Sequence, residues 1–453
     1  MKLLSLFSFN KNFIKSLLLL ALPLIGQNLI TSSLNLLDNI MIGHLGENSI
    51  AAVGLANQYY LVFFLTTSAV CVGGSVLLSQ FWGKKEIYNI KKFAGISLIS
   101  SSFFAFFFCA FALFFPESII KLFTTKEEVV QIGAAYLKAV APSYIFTYLS
   151  FNFCAALRST GQTSIPMKGS LVGFFFNGIL NYIFIFGKFG IEPLGVVGAA
   201  LGTTFARFIE LSYLFFMVYI KNNILKANIK ELFSFDKYDF KLFIATSSPV
   251  VTNDFIWVAG TTAYSKAYAI IGTEAITTMQ IAGITNNLFY IFGIGVGIAS
   301  SIMIGHSIGE GNSINTVYEK GLKMCSFSFL VGIFIGIIFL FTAPFINSYF
   351  NVSPEIKRDT LLILKVMAFI LPIRFLGMSY IIGTFRGGGD VLYATLTEFI
   401  AMWFITIPIG FVAVIFFNVN IVLLYCFICL EEIAKIIIAF PRFKSRKWIK
   451  ALV

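Results

Sequence analysis

Asp38 lies in the stretch "SSLNLLDNIMIGHLG", directly after the apolar "SLLLLALPLIGQNLIT". A charged side chain at the centre of a bilayer costs roughly 2.5–3.5 kcal/mol on insertion scales, so a carboxylate in such a setting is kept by a partner or by a function. Asn28, Ser32, Asn35, Asp38 and Asn39 recur at steps of three and four, which places them on one face of a helix. Further along, Asn177 and Asn181 are i, i+4 neighbours in "FFFNGILNYIFIFG", and Thr203 follows on the next apolar segment. A carboxylate, two amides and a hydroxyl supply hard oxygen ligands, which suit a proton or Na⁺ at Asp38 and not a soft metal. The competing reading is that these groups bond only to one another, as glue between helices. Asp254 and Glu398 form a candidate second cation or substrate site. The alternatives there are an ion pair between Asp254 and Arg374, which is also near mid-span, and a solvated inner helix end for Glu398. Arg207 and Glu210 read as an i, i+3 ion pair. Glu431, Glu432 and Lys435 read as a local cluster near the basic end of the last span.

These side chains need a scaffold. The chain has 453 residues, of which 58% are hydrophobic and only 12% charged, with a mean hydropathy of +0.87. A soluble domain carries about 25% charged residues, so the fold class is an all-α integral membrane protein. Apolar runs fall at 17–42, 55–79, 94–115, 133–156, 169–186, 198–220, 242–271, 277–305, 321–341, 361–385, 392–416 and 421–440. At about 20 residues per span these are twelve transmembrane helices, and long unbroken runs exclude a barrel. The net charge of +12 does not argue for nucleic acid. Lys and Arg concentrate in alternate loops, from Lys2, Lys11 and Lys15 through Lys84, Lys85, Lys91 and Lys92 to the 221–241 stretch and the C-terminus. That bias predicts a multi-pass cell-membrane protein with both termini cytoplasmic. The six cysteines lie in or beside hydrophobic segments and show no disulfide framework.

The chain repeats itself. Pro23 and Pro249 are 226 positions apart, and at that offset "GENSIAA" meets "GTEAITT"; "LRSTGQT" meets "FRGGGDV" at 228. The repeat predicts an N-terminal six-helix bundle over 1–221, a cytoplasmic linker over 222–241 and a C-terminal six-helix bundle over 242–453. An even number of spans per half makes the two repeats parallel, a transporter architecture.

Seven stretches in order resemble the multidrug and toxic compound extrusion (MATE) family of antiporters. They are "ALPLIGQNLITSSLNLLDNIMIGHLG", "LRSTGQTSIPM", "NGILNYIFIFG", "GVVGAALGTTFAR", "SPVVTNDFIWVAGTTAY", "FRGGGDVLYATLTEFIAMWFITIPIG" and "EEIAKIIIAFPRFKSRKW". The resemblance implies a V-shaped pair of bundles that exchange an inward-moving cation, Na⁺ or H⁺, for an organic and often cationic drug, with Asp38 at the family's acidic position. It implies no cofactor beyond the coupling ion, and monomeric action in the lipid bilayer. Some members carry Asp where Asn181 stands and a further acid on helix ten, where this chain has Arg374.

The second reading is a flippase for a lipid-linked saccharide or cell-wall precursor, which requires clustered basic residues for a pyrophosphate. An enzyme requires a nucleophile or metal cluster; the histidines are only His44 and His306, at loop ends, and no nucleotide-binding loop is present. The chain therefore reads as a transporter and not as an enzyme.

Overall fold

The computed structural model describes residues 9–453; Lys2 of the orientation argument lies outside them. The regular structure of the described residues is all helix, without a strand, because a backbone in lipid must satisfy its own hydrogen bonds. Among the described residues, eleven helices are long and apolar enough to cross a bilayer. They are α1 (Lys11–Gly43), α2 (Glu47–Gly83), α3 (Ile87–Phe114), α4 (Glu127–Ser159), α5 (Ser164–Phe186) and α6 (Gly195–Ile220) in the first half. In the second are α7 (Lys237–Ile271), α8 (Thr273–Gly309), α9 (Ile314–Ser348), α10 (Pro354–Arg386) and α11 (Val391–Phe417). A twelfth apolar run, α12, is broken at Cys429 into Ile421–Ile428 and Leu430–Lys444. All twelve expected spans are thus helices, several longer than the apolar runs because polar turns extend them.

The repeat is carried into the backbone. Gly46 and Gly272, 226 positions apart, cap the starts of α2 and α8 with φ of 96° and 144°, a region that only glycine enters without strain. Each half has its own core. In the first, Phe63 stacks on Tyr144 with ring centroids 4.7 Å apart; in the second Phe289, the repeat mate of Phe63, stacks on Phe339 at 4.0 Å.

The chain divides into two compact units. One is residues 26–251; the other joins the described residues up to Ile25 to residues 252–453. Both divisions fall inside a helix, α1 or α7, two residues after its internal proline, Pro23 or Pro249. A proline within a helix removes one i→i−4 hydrogen bond, so each helix changes partners where its own ladder is weakest.

Two further features set the positions of functional side chains. The last turns of α10 (Ser379–Arg386) and the middle of α11 (Ile400–Thr406) are wound as π-helix, which shifts the facing of residues downstream. In the linker, the short helix Ile229–Leu232 packs onto α3, where a Cβ at Gly95 would overlap the Leu232 carbonyl. Lys91 to Glu231 at 3.0 Å and Lys92 to Asp239 at 2.9 Å fasten this contact.

Candidate cation site

Asp38 and the three residues proposed around it form one hydrogen-bonded chain across α1, α5 and α6. Asn181 Nδ2 donates to Asp38 Oδ1 at 2.6 Å and to Asn177 Oδ1 at 3.2 Å, and Asn177 Nδ2 donates to Thr203 Oγ1 at 3.3 Å. Both asparagines are fully buried and Asp38 is half-buried. The i, i+4 spacing of Asn177 and Asn181 puts both amides on the α5 face that meets α6. That approach is close enough for Asn181 Oδ1 to lie against Gly202, where a Cβ would overlap it. Asn181 Oδ1 is buried and has no hydrogen-bond partner. An acceptor of this kind costs about 1–3 kcal/mol when left unmet, so the site has an oxygen ready for a proton-bearing or cationic ligand. With one carboxylate and amide and hydroxyl oxygens around it, the donor set fits a monovalent cation. Among the described residues no group of three or more His, Cys, Asp or Glu could hold a metal ion.

A second buried network lies deeper in the same half. Arg158 Nη2 donates to Gln27 Oε1 at 2.6 Å, Gln27 Nε2 to Ser170 Oγ at 3.0 Å, and Ser170 Oγ to Glu210 Oε1 at 2.9 Å. Glu210 holds Arg207 at 2.7 Å, the expected i, i+3 pair. Arg207 is therefore committed to its own helix, and no ion pair within 4 Å reaches Asp38 among the described residues.

The second half departs from expectation. Arg374 does not pair with Asp254; its Nε binds Glu432 Oε1 on α12 at 2.9 Å, and its Nη1 reaches Asn286 on α8 at 3.4 Å. Glu431, Glu432 and Lys435 do pair locally, as expected, but not near a helix end. They lie in the middle of α12, each less than a tenth exposed. Lys435 Nζ meets Glu431 at 2.6 Å, Glu398 at 3.4 Å and Glu432 at 4.0 Å. Glu398, expected at a solvated inner end, is buried and accepts from Asn253 Nδ2 at 2.8 Å. Tyr264 donates its hydroxyl to Glu431. Asp254 and Glu398 are thus linked through Asn253, the neighbour of Asp254, and through their mutual field.

Gln27, Ser170, Asn253 and Tyr264 were not singled out from sequence. The repeat held the signal: at 226, Gln27 matches Asn253, and at 228, Ser170 matches Glu398 and Arg207 matches Lys435.

The geometry agrees with what the chain is similar to. The MatE family model matches residues 23–183 and 249–412, two segments that open on the repeat-related prolines. A probable multidrug resistance protein NorM from Thermotoga maritima is 26% identical, with 97% of this chain and 94% of that protein covered. The uncharacterized transporter YisQ of Bacillus subtilis is 24% identical over 91% of this chain and 90% of its own length. A crystal structure of MATE in the bent conformation superimposes with a TM-score of 0.87 at 19% identity, covering 96% of each chain. The resemblance drawn from seven short stretches is borne out over nearly the whole length, and the chain belongs to the MatE family of membrane transporters.

Proposed function

We propose that this protein is a secondary active exporter that moves organic, cationic compounds out of the cell in exchange for an inward-moving monovalent cation, Na⁺ or H⁺, bound at Asp38. The observation that carries this reading is the Asp38–Asn181–Asn177–Thr203 chain with its unmatched buried oxygen. A cation there neutralises the Asp38 carboxylate, whose hydrogen bond is to an amide and not to a counter-charge. That favours the loaded state, so binding biases the packing of α1 against α5 and α6. Moving one charge inward across 100 mV yields about 2.3 kcal/mol, which is about a forty- to fifty-fold bias in drug distribution. The names of relatives such as the Thermotoga maritima NorM point to multidrug resistance, which supports the substrate class. The excess of Lys and Arg in alternate loops supports cytoplasmic termini. One chain supplies both repeats and completes the site within one half, which supports a monomer as the working unit. The basic side chains that a lipid-linked pyrophosphate would need are occupied, Arg207 by Glu210 and Arg374 by Glu432, which disfavours a flippase.

The deciding experiment uses purified protein in liposomes loaded with ethidium, with proton and sodium gradients imposed separately. One gradient, or both, should drive export. Export at the same rate without either gradient would overturn the reading.

A further inference from the structure

The two halves carry matching polar positions but close their charges differently. In the first half, the basic residue of α6 is Arg207, and the carboxylate that neutralises it, Glu210, stands one turn later on the same helix. The repeat carries Arg207 to Lys435 and Glu210 to Ile438. The second half therefore keeps the cation and lacks its local partner. A fully buried ammonium without a carboxylate is strongly unfavourable, and Lys435 is only 7% exposed. It recruits partners from elsewhere: Glu431, which stands where the first half has Thr203; Glu398, which stands where it has Ser170; and, at 4.0 Å, Glu432. The amide link survives, as Asn253 to Glu398 in place of Gln27 to Ser170.

The result is an oxygen cage with a cation already in it. Three carboxylates on α11 and α12 converge on one Nζ. The Asn253 amide that reaches Glu398 is 3% exposed, and its Oδ1 has no hydrogen-bond partner. Asp254, Arg386 and Arg374 complete the charged surroundings. We propose that Lys435 is a tethered cation: its ammonium neutralises second-half carboxylates that would otherwise take up an exchangeable proton or, after closing up on one another, a Na⁺, and so restricts ion coupling to Asp38. The first half is the complement, since there Arg207 is consumed by Glu210 and Asp38 is met by an amide. The inference rests on the Asp38 reading for what remains exchangeable, and it fixes how many ions each cycle uses: one.

The test is thermal unfolding of the purified full chain in an Asp38→Asn background, comparing sodium chloride with N-methylglucamine chloride at fixed ionic strength, and then a series of pH values. The parent variant should show no sodium-specific rise in its unfolding midpoint. Adding Lys435→Ala should create one, or should create a new stabilisation on acidification; the first outcome identifies a bound Na⁺ and the second a proton on the freed carboxylates. A double variant that responds to sodium and pH as its parent does would overturn the proposal. So would a parent whose sodium response is abolished by Glu398→Gln, because an exchangeable ion would then share the cage with Lys435. That second comparison needs no Lys435 variant and decides the matter if Lys435→Ala does not fold. Wild type and Asp38→Asn with identical sodium and pH responses would overturn the Asp38 reading instead, leaving the Lys435 comparison intact.

Discussion

Asn181 reaches from α5 to Asp38 on α1 at 2.6 Å, while the oxygen of the same amide is pressed against Gly202 on α6. The orientation of the donor is therefore set by a residue that has no side chain. Gly202→Ala should displace the amide and lengthen its bond to Asp38. A charge-assisted hydrogen bond to the ionised carboxylate contributes about 1.5–3 kcal/mol, so its loss leaves the empty site less satisfied, and cation affinity should rise by roughly ten-fold or more, with drug export saturating at lower cation concentration. Sodium or proton titration of export rates in liposomes reads this out. Adding Asn181→Ala should relieve the overlap and restore stability without restoring affinity; recovery of both would show that Gly202 acts through the backbone alone.

Asp38→Asn keeps the shape of the side chain and loses its charge. The variant should insert and fold as wild type, since its neighbours are amides and a hydroxyl that an amide can also satisfy. Gradient-driven efflux of a cationic dye should fall to the level of empty liposomes. Export at the wild-type rate would make Asp38 a structural residue.

Glu432 is buried and Arg374 largely so, and the two pair at 2.9 Å. Arg374→Gln alone strands a carboxylate and should destabilise by about 3–5 kcal/mol. Arg374→Gln with Glu432→Gln should recover most of that loss. Unfolding midpoints of the two variants in detergent decide the point: equal midpoints would mean that Glu432 finds a substitute partner in Lys435.

Outside the membrane, the backbone N–H of Asn228 and then the Lys91 ammonium hold the Glu231 carboxyl below its ordinary range. A depressed value in the folded state means that the ionised form supports docking of the linker on α3. This support is complete above the unfolded value of about 4.3 and is lost as pH falls through the folded one. Amide exchange over residues 225–232, corrected for its intrinsic pH dependence, should speed up only in that acid window. Glu231→Gln should show the faster exchange already at neutral pH. Protection that stays constant through the acid window would separate the linker from this carboxylate.

The first-half site was legible because its signals are local. A lone acid in an apolar run, two asparagines at i, i+4 and a threonine on the next span need no knowledge of packing to be noticed, and α1, α5 and α6 bring them together. The partners of the second-half charges were not legible because partner choice across helices depends on rotation about each axis, which composition does not encode. Arg374 and Asp254 share a membrane depth, but Arg374 faces Glu432. The π-helical turns after Arg374 and after Glu398 change facing without any mark in residue type. Glu431 and Glu432 read as local partners of Lys435, one turn away; what the sequence could not show is that their burial also draws on an arginine on another helix.

The divisions after Pro23 and Pro249 have a consequence for synthesis on the ribosome. The opening half of α1 is translated first, yet it belongs with residues 252–453, the last to emerge. It must wait in the membrane, without its permanent neighbours, while more than two hundred residues are made. The opening half of α7 has the reverse fate, closing a bundle that was otherwise finished before it appeared. A chain severed in the linker would give two fragments, each holding the segment that completes the other, so neither half is a self-sufficient folding product.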